Sequence, residues 1–181
     1  MMNVRRMIYL SLLVAVGIAL QIVETYIPLP IYGVPGAKLG LANIVNLVTL
    51  VVFGFKYALV VGTLRCFVAT LGTGAVTGLF YSLSGALFST FIMWLVDRYF
   101  SKQFSLIGVS VFGALAHNIA QLTVASLMVY NFLIFTYLPF MMIISLFTGY
   151  FVGLTSIYTA NHLKKIVPKK GNGYKDRPRH I

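Results

Sequence analysis

The chain has 181 residues, of which 59% are hydrophobic and only 9% are charged. Soluble domains contain about 25% charged residues, so this composition excludes an ordinary water-soluble fold and indicates an integral membrane protein. The single cysteine, Cys66, excludes a disulfide framework, and the net charge of +11 is explained below by membrane topology without a nucleic-acid partner.

Six apolar stretches follow one another along the chain. Their continuous hydrophobicity predicts helices, because the strands of a membrane barrel alternate between apolar and polar residues. The predicted spans are 7–27, 39–55, 57–72, 76–96, 106–130 and 135–160. We therefore predict an all-α membrane protein, with a six-helix transmembrane domain over 1–163 and a basic tail over 164–181. The first apolar run continues to about Ile22, which favours a retained helix over a cleaved signal peptide.

The positions of the basic residues predict the orientation of these spans. With the N-terminus in the cytoplasm, 12 of the 14 basic residues lie on the inner side, seven of them in the tail. The positive-inside rule favours this arrangement, and an odd number of spans would place the basic tail outside. Both termini are thus predicted to be cytoplasmic, with the tail touching anionic lipid.

The first outer loop, over 26–40, is long for this protein and rich in proline and glycine. It carries Lys38, the only cation predicted in an outer loop. The loop is either an ordinary connection or a lid over a site that opens outward, in which Lys38 meets an anion and Asn43 follows as the hinge.

Catalysis is not expected, because the chain contains only three acidic residues, Glu24, Asp97 and Asp176. A magnesium-dependent reaction on diphosphates needs clustered carboxylates. The three histidines have no metal-ligand spacing, and the glycine-rich run at 72–78 lacks the Gly-Lys-Ser/Thr ending of an ATP-binding loop. We predict a non-enzyme without a cofactor or metal.

Polar residues inside the spans are the candidate binding residues. His117 and Gln121 share one helix face at i and i+4, and Asn118 borders it. Arg65 lies mid-span, where a charge costs about 2.5 kcal/mol or more, and such groups face the protein interior or a cavity. The predicted substrate-binding set is Lys38, Asn43, Arg65, Ser84, His117, Asn118 and Gln121. The alternative is structural: polar side chains bridge helices at about 0.6 kcal/mol each, and Arg65 pairs with Glu24 or a helix C-terminus.

Small residues recur at four-residue spacing in three spans, which lets helix backbones approach closely. In the fourth span (Gly74, Gly78, Ser82) and the sixth (Ser145, Gly149, Gly153) we favour packing within the bundle. In the first span, Ser11, Ala15 and Ala19 form a similar stripe that is equally suited to a partner protein.

Several motifs carry a family resemblance that covers roughly residues 7–155. The Pro/Gly-rich first loop and Ala15-x-x-x-Ala19 resemble the substrate-binding S components of energy-coupling factor (ECF) transporters. The segments PGAKLGLANIVNLV (35–48), LRCFVATLGTG (64–74), LSGALFS (83–89) and GALAHNIAQL (113–122) are similar to the Gx transporter family, also labelled heptaprenyl diphosphate synthase component I.

This resemblance implies an S-component-like bundle in a bacterial cytoplasmic membrane that captures a small, vitamin-like substrate from outside. It implies a coupling membrane protein, contacted through Ala15 and Ala19, and two cytoplasmic ATPases as partners. The second label implies a membrane accessory subunit of isoprenoid or quinone synthesis, because the carboxylates of a prenyl synthase are missing. A purely structural membrane subunit is the third alternative.

Overall fold

A computed structural model describes residues 4–27, 38–74 and 76–167. In this part of the chain all regular structure is helical, and five helical segments are long and apolar enough to cross a membrane, so the protein is an all-α membrane protein as predicted. The predicted lid residues 28–37 and the tail from 168 onward lie outside the described residues. The helices are α1 (Val4–Thr25), α2 (Asn43–Phe53), α3 (Phe55–Thr73), α4 (Val76–Tyr99), α5 (Leu106–Val129), a 3-10 helix (Phe132–Tyr137) and α6 (Leu138–Ile166).

The second predicted span, over 39–55, is shorter than expected. Helix α2 has only 11 residues, which at about 1.5 Å per residue gives roughly 16 Å, about half of the ~30 Å hydrocarbon core. It ends at Gly54, whose φ of 98° turns the chain directly into α3. The prediction of six helices is confirmed for the described residues. Five segments are long enough to span, and α2 is a short helix inside the bundle, so the even number of crossings and the cytoplasmic tail stay predictions.

Helix α2 lies at the centre of the described bundle and contacts all five other α-helices. Most of its residues are buried, including Leu47 and Leu50, which are fully inaccessible. Apolar side chains such as these pack against α3, α4 and α5 residues including Ala58, Met93 and Val109. A polar side chain on α2 is therefore placed in the middle of the protein rather than against lipid.

The small-residue stripe of α6 packs within the bundle, as the sequence predicted. A Cβ added to Gly149 would lie 2.7 Å from Cα of Val111 on α5, and one added to Gly153 would lie 2.6 Å from Cα of Ile107. The stripe predicted in the fourth span is not one continuous helix surface, because Gly74 is the left-handed cap that ends α3.

Helix α1 packs on α2 and α3 alone among the described helices. Its buried face carries Leu13, Gly17, Gln21 and Glu24. Ala15 and Ala19 are exposed on the opposite side. Their stripe is therefore accessible from outside the described bundle, in contrast to the stripe of α6.

Candidate functional site

Arg65 is the centre of a buried polar cluster, with only 2% of its surface exposed. Its Nε donates to Oδ1 of Asn46 at 3.2 Å, one terminal nitrogen donates to Oε1 of Gln21 at 2.8 Å, and the other donates to Oδ1 of Asn43 at 3.3 Å. The two asparagines lie one turn apart on α2 and so present their amides to the same side. Three neutral amides thus accept hydrogen bonds from all three nitrogens of the guanidinium without cancelling its charge.

Gly17 makes room for this guanidinium on α1. A Cβ there would lie 2.9 Å from Cδ of Arg65 and 3.6 Å from Cβ of Val45. Gln21 follows one turn later on the same face of α1, and it is also buried. On α1, the missing side chain of Gly17 therefore leaves space for Arg65 of α3, and Gln21 one turn later supplies an amide acceptor.

The negative charge of the cluster comes from Glu24, which is 95% inaccessible. Its Oε1 accepts a hydrogen bond from the backbone N–H of Leu41, and the Ala42 backbone interacts with the same carboxylate. These two residues immediately precede α2, so Glu24 lies at the N-terminus of a helix that begins inside the bundle. The free N–H groups and the dipole of a helix N-terminus favour an anion there.

Lys38 supplies a second positive charge close to Glu24. Burial lowers the pKa of Lys38 below its ordinary value, and attraction to the Glu24 carboxylate opposes that shift. Arg65 also repels the ammonium group. Two cations therefore face one carboxylate at this position.

His117 forms a hydrogen bond with Gln121, its neighbour one turn along α5. Gln121 accepts a hydrogen bond from the backbone N–H of Lys38 at its Oε1 (3.3 Å), which fixes the orientation of its amide. Its Nε2 therefore donates to Nε2 of His117 at 2.9 Å. With the amide in this orientation, Nε2 of the ring is the acceptor and Nδ1 carries the ring proton.

Two glycines flank the imidazole of His117. A Cβ on Gly85 of α4 would lie 2.6 Å from Nδ1 and Cε1 of the ring. A Cβ on Gly40 would lie 3.4 Å from its Cδ2, and the φ of 82° at Gly40 is a left-handed conformation that favours glycine. The segment before α2 can therefore lie directly on the ring.

A small polar cavity lies between these groups. It is lined by Gln21, Glu24, Lys38, Gly40, Ala42, Arg65, Ser82 and His117, and its volume is about 10 Å³. A volume of this size holds about one water molecule. Ser82 Oγ and Asn43 Nδ2 are buried here without a hydrogen-bond partner. His117 Nδ1 on the cavity wall has no hydrogen-bond partner either, so three buried polar groups of the cluster are unused.

Five of the seven residues predicted to bind substrate come together in this cluster. Lys38, Arg65 and His117 line the cavity, and Asn43 and Gln121 bond to them. Their role toward a substrate stays a prediction. The alternative pairing of Arg65 with Glu24 receives support as well, because the two groups attract each other.

The structure places the remaining two predicted residues elsewhere. Nδ2 of Asn118 donates to Oγ of Ser145 at 2.6 Å and to the Met141 carbonyl at 3.1 Å, so this side chain bridges α5 and α6. Asn118 is offset from His117 by about 100° around the helix, which directs it to a different neighbour. Ser84 Oγ donates to the Tyr81 carbonyl at 3.1 Å and lies outside the polar cavity.

Gln21 and Ser82 were absent from the predicted set, although both line the cavity. The spacing of Gly17, Gln21 and Glu24 places all three on one face of α1, and this signal was available in the sequence. No comparable signal distinguished Ser82 from Ser84 or Ser89 on α4.

A second, apolar groove runs along α4 between α3 and α5, with a volume of about 590 Å³. Pockets for small organic ligands measure roughly 300–1,000 Å³. The groove is lined by Phe55, Leu59, Ser84, Leu87, Phe88, Phe91, Ile119, Ala120, Thr123 and Val124. Several of these side chains, including Phe88 and Phe91, are exposed on the outer surface. The groove therefore opens toward lipid, whereas the polar cavity is internal.

The fold and the site together define a helical membrane protein with a buried polar cluster around an intramembrane arginine. The family model described as heptaprenyl diphosphate synthase component I matches residues 13–159, which is most of the chain. The protein belongs to the heptaprenyl diphosphate synthase component I family. No curated protein and no solved structure matches the chain.

Proposed function

We propose that the protein is a substrate-binding, S-component-like subunit of an ECF-type transporter in the bacterial cytoplasmic membrane. It captures a small organic anion from outside at the polar cavity. The observation that carries this proposal is the charge of the cavity, where Arg65 and Lys38 face the single carboxylate of Glu24.

The neutral partners of Arg65 support an anionic substrate. A charge inside a membrane protein costs several kcal/mol unless other charges or hydrogen bonds compensate it. Gln21, Asn43 and Asn46 hold the guanidinium in place but leave its charge. The two cations that line the cavity therefore favour a ligand with negative charge.

The non-helical residues before α2 support the proposal that the substrate enters the polar cavity from the side of the first loop. Lys38 and Gly40 form one wall of the cavity, and they connect directly to the segment 28–37. Irregular backbone inside a membrane protein is tolerated where it is packed against protein or lines a cavity. Displacing this wall would open the site without moving a spanning helix.

Ligand retention tests the proposed site. Native mass spectrometry of gently purified protein is expected to show a bound small anion. His117→Ala removes part of the cavity wall, and Gln121→Ala removes the acceptor of the Lys38 backbone N–H. Each variant should therefore lower the occupancy of the ligand at least several-fold. Asn118→Ala is the matched control on the same helix, since Asn118 bonds to α6. A ligand retained at wild-type occupancy in both cavity variants contradicts the site.

We further propose that the chain has no catalytic activity of its own and works with a coupling membrane protein and cytoplasmic ATPases. Ala15 and Ala19 are exposed on α1, where a small-residue stripe permits close helix contact with a partner. Ala15→Leu and Ala19→Leu are expected to abolish co-purification of the ATPase. Val60→Leu, at an exposed position on α3, should retain it. A stable native complex that contains no ATPase would argue against a transporter.

A membrane accessory subunit of prenyl diphosphate synthesis is the second candidate, favoured by the family description and the apolar groove. A polyprenyl chain would fit a long apolar groove that opens to lipid. Leu87→Trp should then reduce retention of an added heptaprenyl diphosphate, and Leu71→Trp, at an 82% exposed position, should leave it unchanged. Turnover of prenyl diphosphate by the isolated chain would overturn the proposal of a non-enzyme.

A further inference from the structure

The position of Glu24 adds a more specific inference, which rests on the proposed function. We propose that the substrate is recognised through a carboxylate group, and that this group takes the place that the Glu24 side chain occupies at the N-terminus of α2. Glu24 is then an internal competitor for the substrate.

The cavity beside Arg65 and Lys38 has room for only one carboxylate. The cavity holds about 10 Å³, which admits about one water-sized group. The carboxylate of Glu24 already lies at its border and accepts the hydrogen bond from Leu41 N–H. A second carboxylate fits beside Arg65 and Lys38 only after that of Glu24 has left.

Buried hydrogen-bond donors next to the two cations are unused. Ser82 is 4% exposed and Asn43 is 2% exposed, and Ser82 Oγ and Asn43 Nδ2 have no partner. Ser82 lines the cavity itself. Buried polar groups are ordinarily satisfied. These two groups and His117 Nδ1, all able to donate beside two cations, therefore indicate a missing acceptor with negative charge.

Glu24 is held in place by groups outside its own helix. It is the penultimate residue of α1, and a carboxylate at a helix C-terminus is on the unfavourable end of the helix dipole. The attraction comes from the N-terminus of α2 and from the two cations. Fraying of one turn at the end of α1 would therefore release the side chain and leave its binding partners in place.

Acetate binding to the purified full chain tests this competition, with acetamide as the neutral probe of the same shape. Thermal unfolding in detergent is followed as each probe is titrated at constant ionic strength. Glu24→Gln keeps an acceptor for Leu41 N–H but removes the charge, so its half-saturating acetate concentration should fall at least about 10-fold below that of the wild type. Acetamide should leave the unfolding temperature of both proteins unchanged.

Two further variants complete the experiment. Asp97→Asn removes the same charge 15 positions after Ser82 on α4, roughly 22 Å away, and should bind acetate as the wild type does. Ser82→Ala in the Glu24→Gln background should raise the half-saturating acetate concentration again by at least about threefold. If Glu24→Gln is not monodisperse alone, acetate during purification should restore it, and failure to do so contradicts the proposal.

The outcomes also separate this inference from the function on which it rests. If Glu24→Gln binds acetate no more tightly than the wild type, Glu24 is not a competitor, although an anion site can stand. If neither protein binds acetate and the co-purified ligand is neutral, the inference and the proposed anion transport both fail.

Discussion

Arg65→Met is expected to lower the free energy of unfolding by about 3–5 kcal/mol, the largest effect of any single substitution in the polar cluster. The change leaves the amide oxygens of Gln21, Asn43 and Asn46 without their donor. It also leaves the Glu24 carboxylate buried with one cation fewer. Reversible unfolding of the purified protein in mixed micelles, followed by circular dichroism, measures the loss.

Two variants show whether the effect belongs to the cluster. Lys56→Met removes a cation from the same helix at an exposed position and should change stability by less than about 0.5 kcal/mol. Arg65→Lys keeps the charge but cannot reach three separated acceptors with one ammonium group, so an intermediate loss is expected. Equal stability of Arg65→Met and Lys56→Met would show that the polar cluster does not contribute to the stability of the fold.

Gly149→Ala is expected to destabilise the protein by about 1–3 kcal/mol through overpacking between α5 and α6. The added methyl would lie 2.7 Å from a backbone atom of Val111, which cannot move aside as a side-chain end can. Adding Gly153→Ala, where the contact is with Cα of Ile107 at 2.6 Å, should increase the loss further. The unfolding temperature in the same micelles measures both.

Gly72→Ala is the control for this series, because a Cβ at this helical position on α3 meets no atom within 4 Å. Alanine is also the better helix former, so stability should stay constant or rise slightly. A loss at Gly72 equal to that at Gly149 would attribute the effect to glycine itself and would contradict close packing of α5 on α6.

Much of the fold was predictable because hydrophobicity in a membrane protein is a long, continuous signal. Five spanning segments and the short link at Gly54 follow from it directly. The length of α2 was not predictable in this way, since 39–55 is predominantly apolar along its whole length. The non-helical backbone at Lys38–Leu41 is stabilised by Gln121 and Glu24 from other helices, and contacts of that kind leave no local pattern.

In the site, too, features set by helical spacing were predictable, and features set by the packing of distant helices were not. Helical spacing correctly put His117 and Gln121 on one face, and it correctly offset Asn118. Which neighbour each face meets depends on how the helices pack. Asn118 therefore bonds to Ser145 on α6, and the serine that lines the cavity is Ser82 rather than Ser84.

The single-glycine junction between α2 and α3 has a consequence for biosynthesis. Helix α3 has the lowest mean hydropathy of the five spanning segments, and Arg65 lies at its middle, where an arginine opposes translocon-mediated insertion by about 2.5–3.5 kcal/mol. Helix α2 is too short to insert alone. We therefore expect α2 and α3 to enter the bilayer together as a hairpin in which Asn46 already accepts from Arg65, so that part of the polar cluster forms before α4, α5 and α6 have left the ribosome.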